Sequence, residues 1–185
     1  LLLVCALLVV SVAAAGLELE QRQGCFCTSQ PLTRWRQICL APTPFIFRGL
    51  LWCLGFWHIE IIDHRRQQEN CTEPKLLVVA PHMTWADALV VSWFFPPLPA
   101  GVGDASILRA PFSRVFAAAC QGILVDVQNT ESRASCRKIL EERACGSWAG
   151  PPTMIFPEGR ITSGKRLIQF KLGAFLPGQP VVPVT

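Results

Sequence analysis

The chain has 185 residues, 51% of them hydrophobic, a formal net charge of +4 and a mean hydropathy of +0.36. That length accommodates one globular domain with an appendage, and the apolar excess lies mostly before residue 64. No long basic run and no repeated Arg/Lys–aromatic pattern occurs, so nucleic acid is not expected as a partner; the positive surplus lies after residue 100 and suits anionic substrates or lipid headgroups.

Residues 1–15 are apolar apart from Ser11. As a helix they would reach about 22 Å, less than the roughly 30 Å hydrocarbon core of a bilayer. A transmembrane helix lacking its start and the apolar part of a signal peptide both fit, and Ala13-Ala14-Ala15 has the small-x-small character of a cleavage site. The nine cysteines decide between them. Their count is odd, only Cys25 and Cys27 lie close together, and no CxxC or Cys/His spacing occurs. Reduced thiols facing the cytosol or an apolar interior are the reading, which favours the membrane helix. The chain begins without methionine inside an apolar run and stops after another, so both ends are expected to be cuts from a longer protein.

Residues 17–37 form a polar connector. The apolar stretch 38–62 is interrupted by Pro42, Pro44 and Arg48. A straight span would hold Arg48 near the bilayer centre at a cost of about 2.5–3.5 kcal/mol. A re-entrant or interfacial segment with Trp52 and Trp57 at headgroup depth avoids it. Residues 1–64 are therefore assigned to a membrane-associated helical region and 65–185 to a separate domain.

Beyond residue 63 short strand patterns (76–80, 106–108, 123–127, 153–156, 181–184) alternate with helical ones (85–94, 111–120, 130–144). This predicts an α/β fold with a mainly parallel sheet covered by helices. Asn70-Cys71-Thr72 matches a glycosylation sequon but directly precedes the first of these strands, and is discounted. His58 and His64 lack further ligands, and no metal site is expected.

Two motifs carry chemistry. His82 and Asp87 follow an apolar strand, in Ala80-Pro81-His82-Met83-Thr84-Trp85-Ala86-Asp87. Thr84-x-x-Asp87 resembles a capping box, so Asp87 has a purely structural reading as well. At the carboxyl edge of a parallel sheet, however, a carboxylate on Nδ1 would fix the imidazole tautomer and leave Nε2 as a base. No Gly-x-Ser-x-Gly elbow and no cysteine accompanies His82, so direct transfer to an acceptor hydroxyl is favoured over a covalent intermediate. Backbone amides at the start of the next helix would stabilise the oxyanion. About seventy residues later, Phe156-Pro157-Glu158-Gly159-Arg160 closes another apolar strand in a turn, and a polar loop of this kind also reads as simple punctuation.

With these pieces in this order, the chain from about residue 73 to 185 resembles the glycerophospholipid acyltransferase superfamily, of 1-acylglycerol-3-phosphate acyltransferase type. The four blocks of that superfamily correspond to His82 through Asp87, Gly122 through Val127, Phe156 through Arg160, and Val181 through Val184. Ala80-Pro81-His82, Glu131-Ser132-Arg133 and Phe170-Lys171-Leu172-Gly173-Ala174-Phe175 are most similar to the lysophosphatidylcholine acyltransferase branch. The resemblance implies an acyltransferase catalytic domain at 65–185, incomplete at its end, with acyl-CoA as co-substrate and no other cofactor. It implies a lysophospholipid acceptor and a lipid bilayer, at the endoplasmic reticulum, with the Golgi and lipid droplets as alternatives. His82 would be the base and Asp87 its orienter; Glu158, Gly159, Arg160, Arg133 and Lys171 would bind substrate. Two positions depart from the pattern. Val127 stands where an arginine usually follows the second block, with Arg133 as a partial substitute, and Arg160 stands where threonine usually ends the third. Both concern acceptor recognition, so a 1-acylglycerol-3-phosphate acyltransferase making phosphatidic acid, and a catalytically silent membrane-anchored lipid-binding protein, stay open beside the lysophosphatidylcholine reading.

Overall fold

The computed structural model describes residues 2–64, 75–145, 147–166, 168–175 and 178–185; the Asn70 sequon lies outside them. Among the described residues seven strands, numbered in chain order from β1 (Glu20–Arg22) and β2 (Cys25–Cys27), form one mixed sheet in the order β1-β2-β5-β4-β6-β3-β7. Strands β3 (Leu76–Val79), β4 (Ala100–Asp104), β5 (Ile123–Val125), β6 (Thr153–Ile155) and β7 (Val181–Val184) are mutually parallel. Strand β3 sits between β6 and β7, pairing Leu76 with both Thr153 and Val181. All four residues of Leu76-Leu77-Val78-Val79 are buried. An unbroken apolar run is what a parallel strand covered on both faces requires.

Side-chain alternation divides the core between the two faces. Leu76 and Val78 join Ile123, Val125 and Ile155 against Cys136, Ile139, Leu140 and Ala144 of helix α6 (Thr130–Ala144). Leu77 and Val79 join Met154 against Val91 and Phe95, at the end of helix α4 (Ala86–Phe94). Helix α6 keeps the predicted boundaries. Asn129 caps it, its Oδ1 accepting the amides of Glu131 (2.8 Å) and Ser132 (3.1 Å), and Arg133 and Arg137 face outward.

Three expectations change between residues 17 and 120. The strand expected at 106–108 is a 3-10 turn, Ala105–Arg109, capped by Asp104 through the Ser106 amide at 2.7 Å. The strand is the preceding Ala100-Gly101-Val102-Gly103-Asp104. Its glycines let a central strand pack tightly: a Cβ on Gly103 would lie 3.3 Å from Leu124 Cδ2. The helix expected at 111–120 is shorter, α5 (Ser113–Ala119), because Phe112 before it adopts φ +64°. The stretch 17–37, expected as a polar connector, carries the hairpin β1 (Glu20–Arg22) and β2 (Cys25–Cys27), paired antiparallel to β5 through Phe26 and Leu124. Gln23 and Gly24 both take positive φ, the requirement of a tight two-residue hairpin turn. Buried Arg143 of α6 clamps the hairpin region to the sheet by donating to the carbonyls of Thr28 (3.1 Å) and Gln121.

Among the described residues no helix is long and apolar enough to cross a membrane, so the transmembrane helix expected within 1–15 is not shown. Helix α1 (Leu2–Ala14) is 13 residues long. It buries Val10, Ala13 and Ala14 against Leu32, Leu40 and Ala119, while Val4, Leu7, Leu8 and Val12 stay exposed. The second apolar stretch breaks at Pro42 into α2 (Arg34–Leu40) and α3 (Thr43–Cys53). Arg48 of α3 donates to the carbonyls of Phe56 (3.0 Å) and Trp57 (2.8 Å), and its guanidinium lies 5.1 Å from the Trp93 ring centroid. All eight described cysteines are free thiols.

Candidate active site

Strand β3 ends at Val79, and the Ala80 amide is still held by the Val184 carbonyl of β7 at 3.0 Å. The next residues leave the sheet at its carboxyl edge and turn back into α4. Within that turn His82 Nδ1 lies 2.9 Å from Asp87 Oδ2. The same oxygen accepts the amides of Met83 (2.7 Å) and Thr84 (3.0 Å), while Thr84 Oγ1 accepts the Ala86 amide at 3.2 Å. The capping-box and orienting roles of Asp87 therefore coexist, and one carboxylate oxygen serves both. Both side chains are mostly sheltered, with 15% and 17% exposure. A shielded carboxylate on Nδ1 selects the tautomer that carries its proton there and leaves Nε2 as acceptor.

Strand β6 delivers the second half of the site. Its apolar run passes into Phe156 and the turn Pro157-Glu158-Gly159, closed by the Gly159 amide on the Phe156 carbonyl at 3.0 Å. Glu158 is 3% exposed. Its Oε2 accepts the His82 amide at 2.9 Å, so the two motifs are joined directly. Its Oε1 is buried and has no partner among the described residues. Thr162 closes the contact from the far side: its amide donates to the His82 carbonyl at 2.7 Å, and its hydroxyl lies 3.4 Å from Glu158 Oε2. Adjacent parallel strands β3 and β6 put both turns at one edge, which is why residues 76 positions apart meet.

Of the expected substrate-binding residues, Gly159 takes φ +66°, and a Cβ there would fall 2.6 Å from Lys171 Nζ. Lys171 is tied to the turn by its own amide, on the Pro157 carbonyl at 2.8 Å. Arg160 is exposed on the same turn. Arg133 is not brought into this cluster: its guanidinium bonds to Thr130 of its own helix, α6, at 3.1 Å. Val127 is exposed just beyond β5. The amides expected to serve as oxyanion donors are partly engaged, since Met83, Thr84 and Ala86 all have acceptors within the turn. Thr162 and the ring of Phe156 were not assigned roles from sequence. Threonine in a polar loop carries no signal, and Phe156 reads as the last residue of a buried strand.

The arrangement supplies an oriented base beside a buried acceptor atom and a cationic rim. No cluster of metal-binding side chains occurs among the described residues. Residues 61–185 match a protein-family model described as Acyltransferase. The chain is 34% identical over 157 residues to lysophosphatidylcholine acyltransferase 2B of Rattus norvegicus, covering 84% of this chain and 29% of that protein. It is 36% identical over 175 residues to lysophospholipid acyltransferase LPCAT4 of Mus musculus, covering 92% of this chain and 30% of that protein. Against lysophosphatidylcholine acyltransferase 2 of Danio rerio it is 32% identical over 155 residues, with 84% and 28% coverage. The chain thus spans under a third of the length of these relatives. No solved structure matches it.

Proposed function

The chain belongs to the acyltransferase family, and on that premise we propose that it is the catalytic portion of a membrane-bound enzyme that moves a fatty acyl group from acyl-CoA to the free hydroxyl of a lysophospholipid, with a lysophosphatidylcholine-like acceptor. The observation that carries this reading is the 2.9 Å contact between His82 Nδ1 and Asp87 Oδ2 in a turn joined to Glu158. His82 Nε2 removes the proton of the acceptor hydroxyl, and the oxygen attacks the thioester carbonyl. The tetrahedral adduct then collapses: the C–S bond breaks, the ester forms, and the departing thiolate takes the proton from the imidazolium. Base catalysis of this kind contributes roughly 10²- to 10⁴-fold. Asp87 stabilises the imidazolium while it exists.

Glu158 presents only acceptor atoms, so its vacant Oε1 suits a hydroxyl or other donor on the acceptor, whereas Lys171 and Arg160 suit its phosphate. Gly159 lets Lys171 lie across the turn. Arg133 would join only from the neighbouring helix. The exposed apolar sides of α1 and α3 support a bilayer-associated region within 1–64, whose β1–β2 hairpin joins the sheet of the catalytic domain at 65–185, and an endoplasmic reticulum membrane fits a phospholipid-remodelling enzyme.

The test uses the complete gene product in membranes, given labelled acyl-CoA and a panel of lysophospholipids that includes 1-acylglycerol-3-phosphate. Labelled phospholipid from a lysophosphatidylcholine-type acceptor, lost in His82→Ala with the fold intact, is the expected result. Preference for 1-acylglycerol-3-phosphate would reassign the acceptor. Turnover surviving in His82→Ala overturns the mechanism, and a folded protein inactive on every acceptor overturns the enzymatic reading in favour of lipid binding alone.

A further inference from the structure

After Glu158 the sequence contains no acidic residue, yet it carries Arg160, Lys165, Arg166 and Lys171. All four are exposed. Large apolar side chains stand among them in the open: Ile161 is 54% exposed and Leu172 72%, joined by Met83 (52%) and Trp85 (61%) from the His82 turn. These residues form one surface. Thr162 bonds to the His82 carbonyl, and the Lys171 amide bonds to Pro157. Gly164, at φ +68°, lies so close under Met83 that a Cβ would fall 2.5 Å from its Sδ. The rim around His82 is therefore apolar and cationic at once, and the chain's whole net charge of +4 equals the charge of this one segment.

We propose that this rim is a docking surface for a lipid leaflet bearing anionic headgroups, with Ile161, Leu172, Met83 and Trp85 entering the headgroup layer and Lys165 and Arg166 meeting its negative charge. A protein partner would need complementary apolar shape as well as charge. A leaflet needs only the mixture present here, apolar side chains at the tip and cations around them. The surface is distinct from the apolar side of α1, which carries no charged residue. Its placement around His82 rests on the acyltransferase reading, because a lipid acceptor must leave the leaflet next to the base.

The test is flotation of the full-length protein with phosphatidylcholine vesicles, with and without a minor fraction of phosphatidylserine, across a salt series. Wild type should bind the anionic vesicles more tightly, with the difference erased at high salt. The double variant Lys165→Gln/Arg166→Gln should lose affinity for anionic vesicles only, roughly fivefold for each cation removed. Leu172→Ser should weaken binding to both compositions, and Arg137→Gln/Lys138→Gln, on the exposed side of α6, should change neither. The double variant should also turn over a monomeric short-chain lysophospholipid normally while losing activity on vesicle-borne acceptor. Wild-type binding that ignores phosphatidylserine, or a double variant that binds like wild type, overturns the proposal and assigns any attachment to another surface such as α1. Wild type that docks as described but turns over no acceptor would instead overturn the acyltransferase reading.

Discussion

The imidazole of His82 lies flat on the ring of Phe156, with centroids 3.8 Å apart and planes 20° from parallel. The strand that leads into Phe156 neighbours the strand that precedes His82, so sheet pairing sets this stack. Asp87 holds Nδ1, Glu158 holds the backbone amide, and Phe156 holds the plane of the ring. The histidine is thus restrained in rotation and in tilt before any substrate arrives.

Phe156→Leu keeps most of the volume and removes the stack. An aromatic pair is worth about 0.5–1.5 kcal/mol, which corresponds to a kcat lower by roughly two- to tenfold with KM for the acceptor unchanged. Phe156→Tyr should restore kcat. The ring-current shift of the His82 imidazole protons, seen by NMR in wild type, should vanish in the leucine variant and persist in the tyrosine one. A loss in KM alone would show that Phe156 shapes the acceptor pocket and leaves the base untouched.

Asp87→Asn retains a carbonyl oxygen for the Met83 and Thr84 amides, so the turn should fold and Tm should move little. The amide group can no longer stabilise an imidazolium or enforce the tautomer with Nδ1 protonated. Activity should fall roughly 10²- to 10⁴-fold. Steady-state kinetics alongside a melting curve checks both halves; a large drop in Tm with a proportionate drop in activity would make Asp87 a cap and nothing more.

Gly159→Ala imposes a side chain at φ +66° and drives its Cβ into the Lys171 side chain. The backbone strain alone costs about 1–2 kcal/mol. Displacing Lys171 should raise the acceptor KM well above any change in the acyl-CoA KM. Equal changes in both constants would separate Lys171 from acceptor binding.

Burial sets the response of stability to alkaline pH. It raises the Cys27 thiol above its ordinary range and pushes Cys120 up to about 12. Cys25 is also raised, chiefly because its thiol donates to Cys136, but the same bond lowers Cys136, so this pair offsets itself and Cys27 and Cys120 carry the effect. The native state keeps protons that the unfolded chain begins to release near pH 8.5, so stability is full below that pH and declines as pH rises through the window up to about 12. Urea midpoints measured from neutral to mildly alkaline pH should fall, and Cys120→Ala should flatten the fall. In the native protein alkylation should strike exposed Cys53 and Cys145 and spare Cys120. Flat midpoints across the range would mean that the buried thiols are open to solvent.

Legibility followed the length scale of the signal. The strand at 76–79 and the helix Thr130–Ala144 were readable because apolar continuity and amphipathic period are local properties of the chain. So were the sheet class and the pairing of His82 with Asp87, five residues apart. The strand expected at 106–108 lies instead at Ala100–Asp104, where two glycines leave no apolar run to read and the closeness of Leu124 that they permit is known only once that neighbour is in place. The β1–β2 hairpin was missed because three-residue strands carry too few side chains for alternation to register, and β5 supplies the rest of their pairing. The N-terminal helix shows the converse: its apolar composition was evident, but a helix of 13 residues buries Ala13 and Ala14 in a packed cluster, and burial there depends on Leu32 and Ala119 arriving from elsewhere.

What the sequence determined by itself is the chemistry: which side chains can accept a proton, which can orient them, and which turns can expose them at a strand's end. These follow from residue identity and short-range spacing. What the tertiary structure alone decided is assembly: the bond from the His82 amide to Glu158, the stack of His82 on Phe156, and the engagement of Arg133 with Thr130 on its own helix. The first two depend on β6 lying beside β3, a long-range pairing that no local pattern encodes, because strand order is chosen by the packing of the whole sheet.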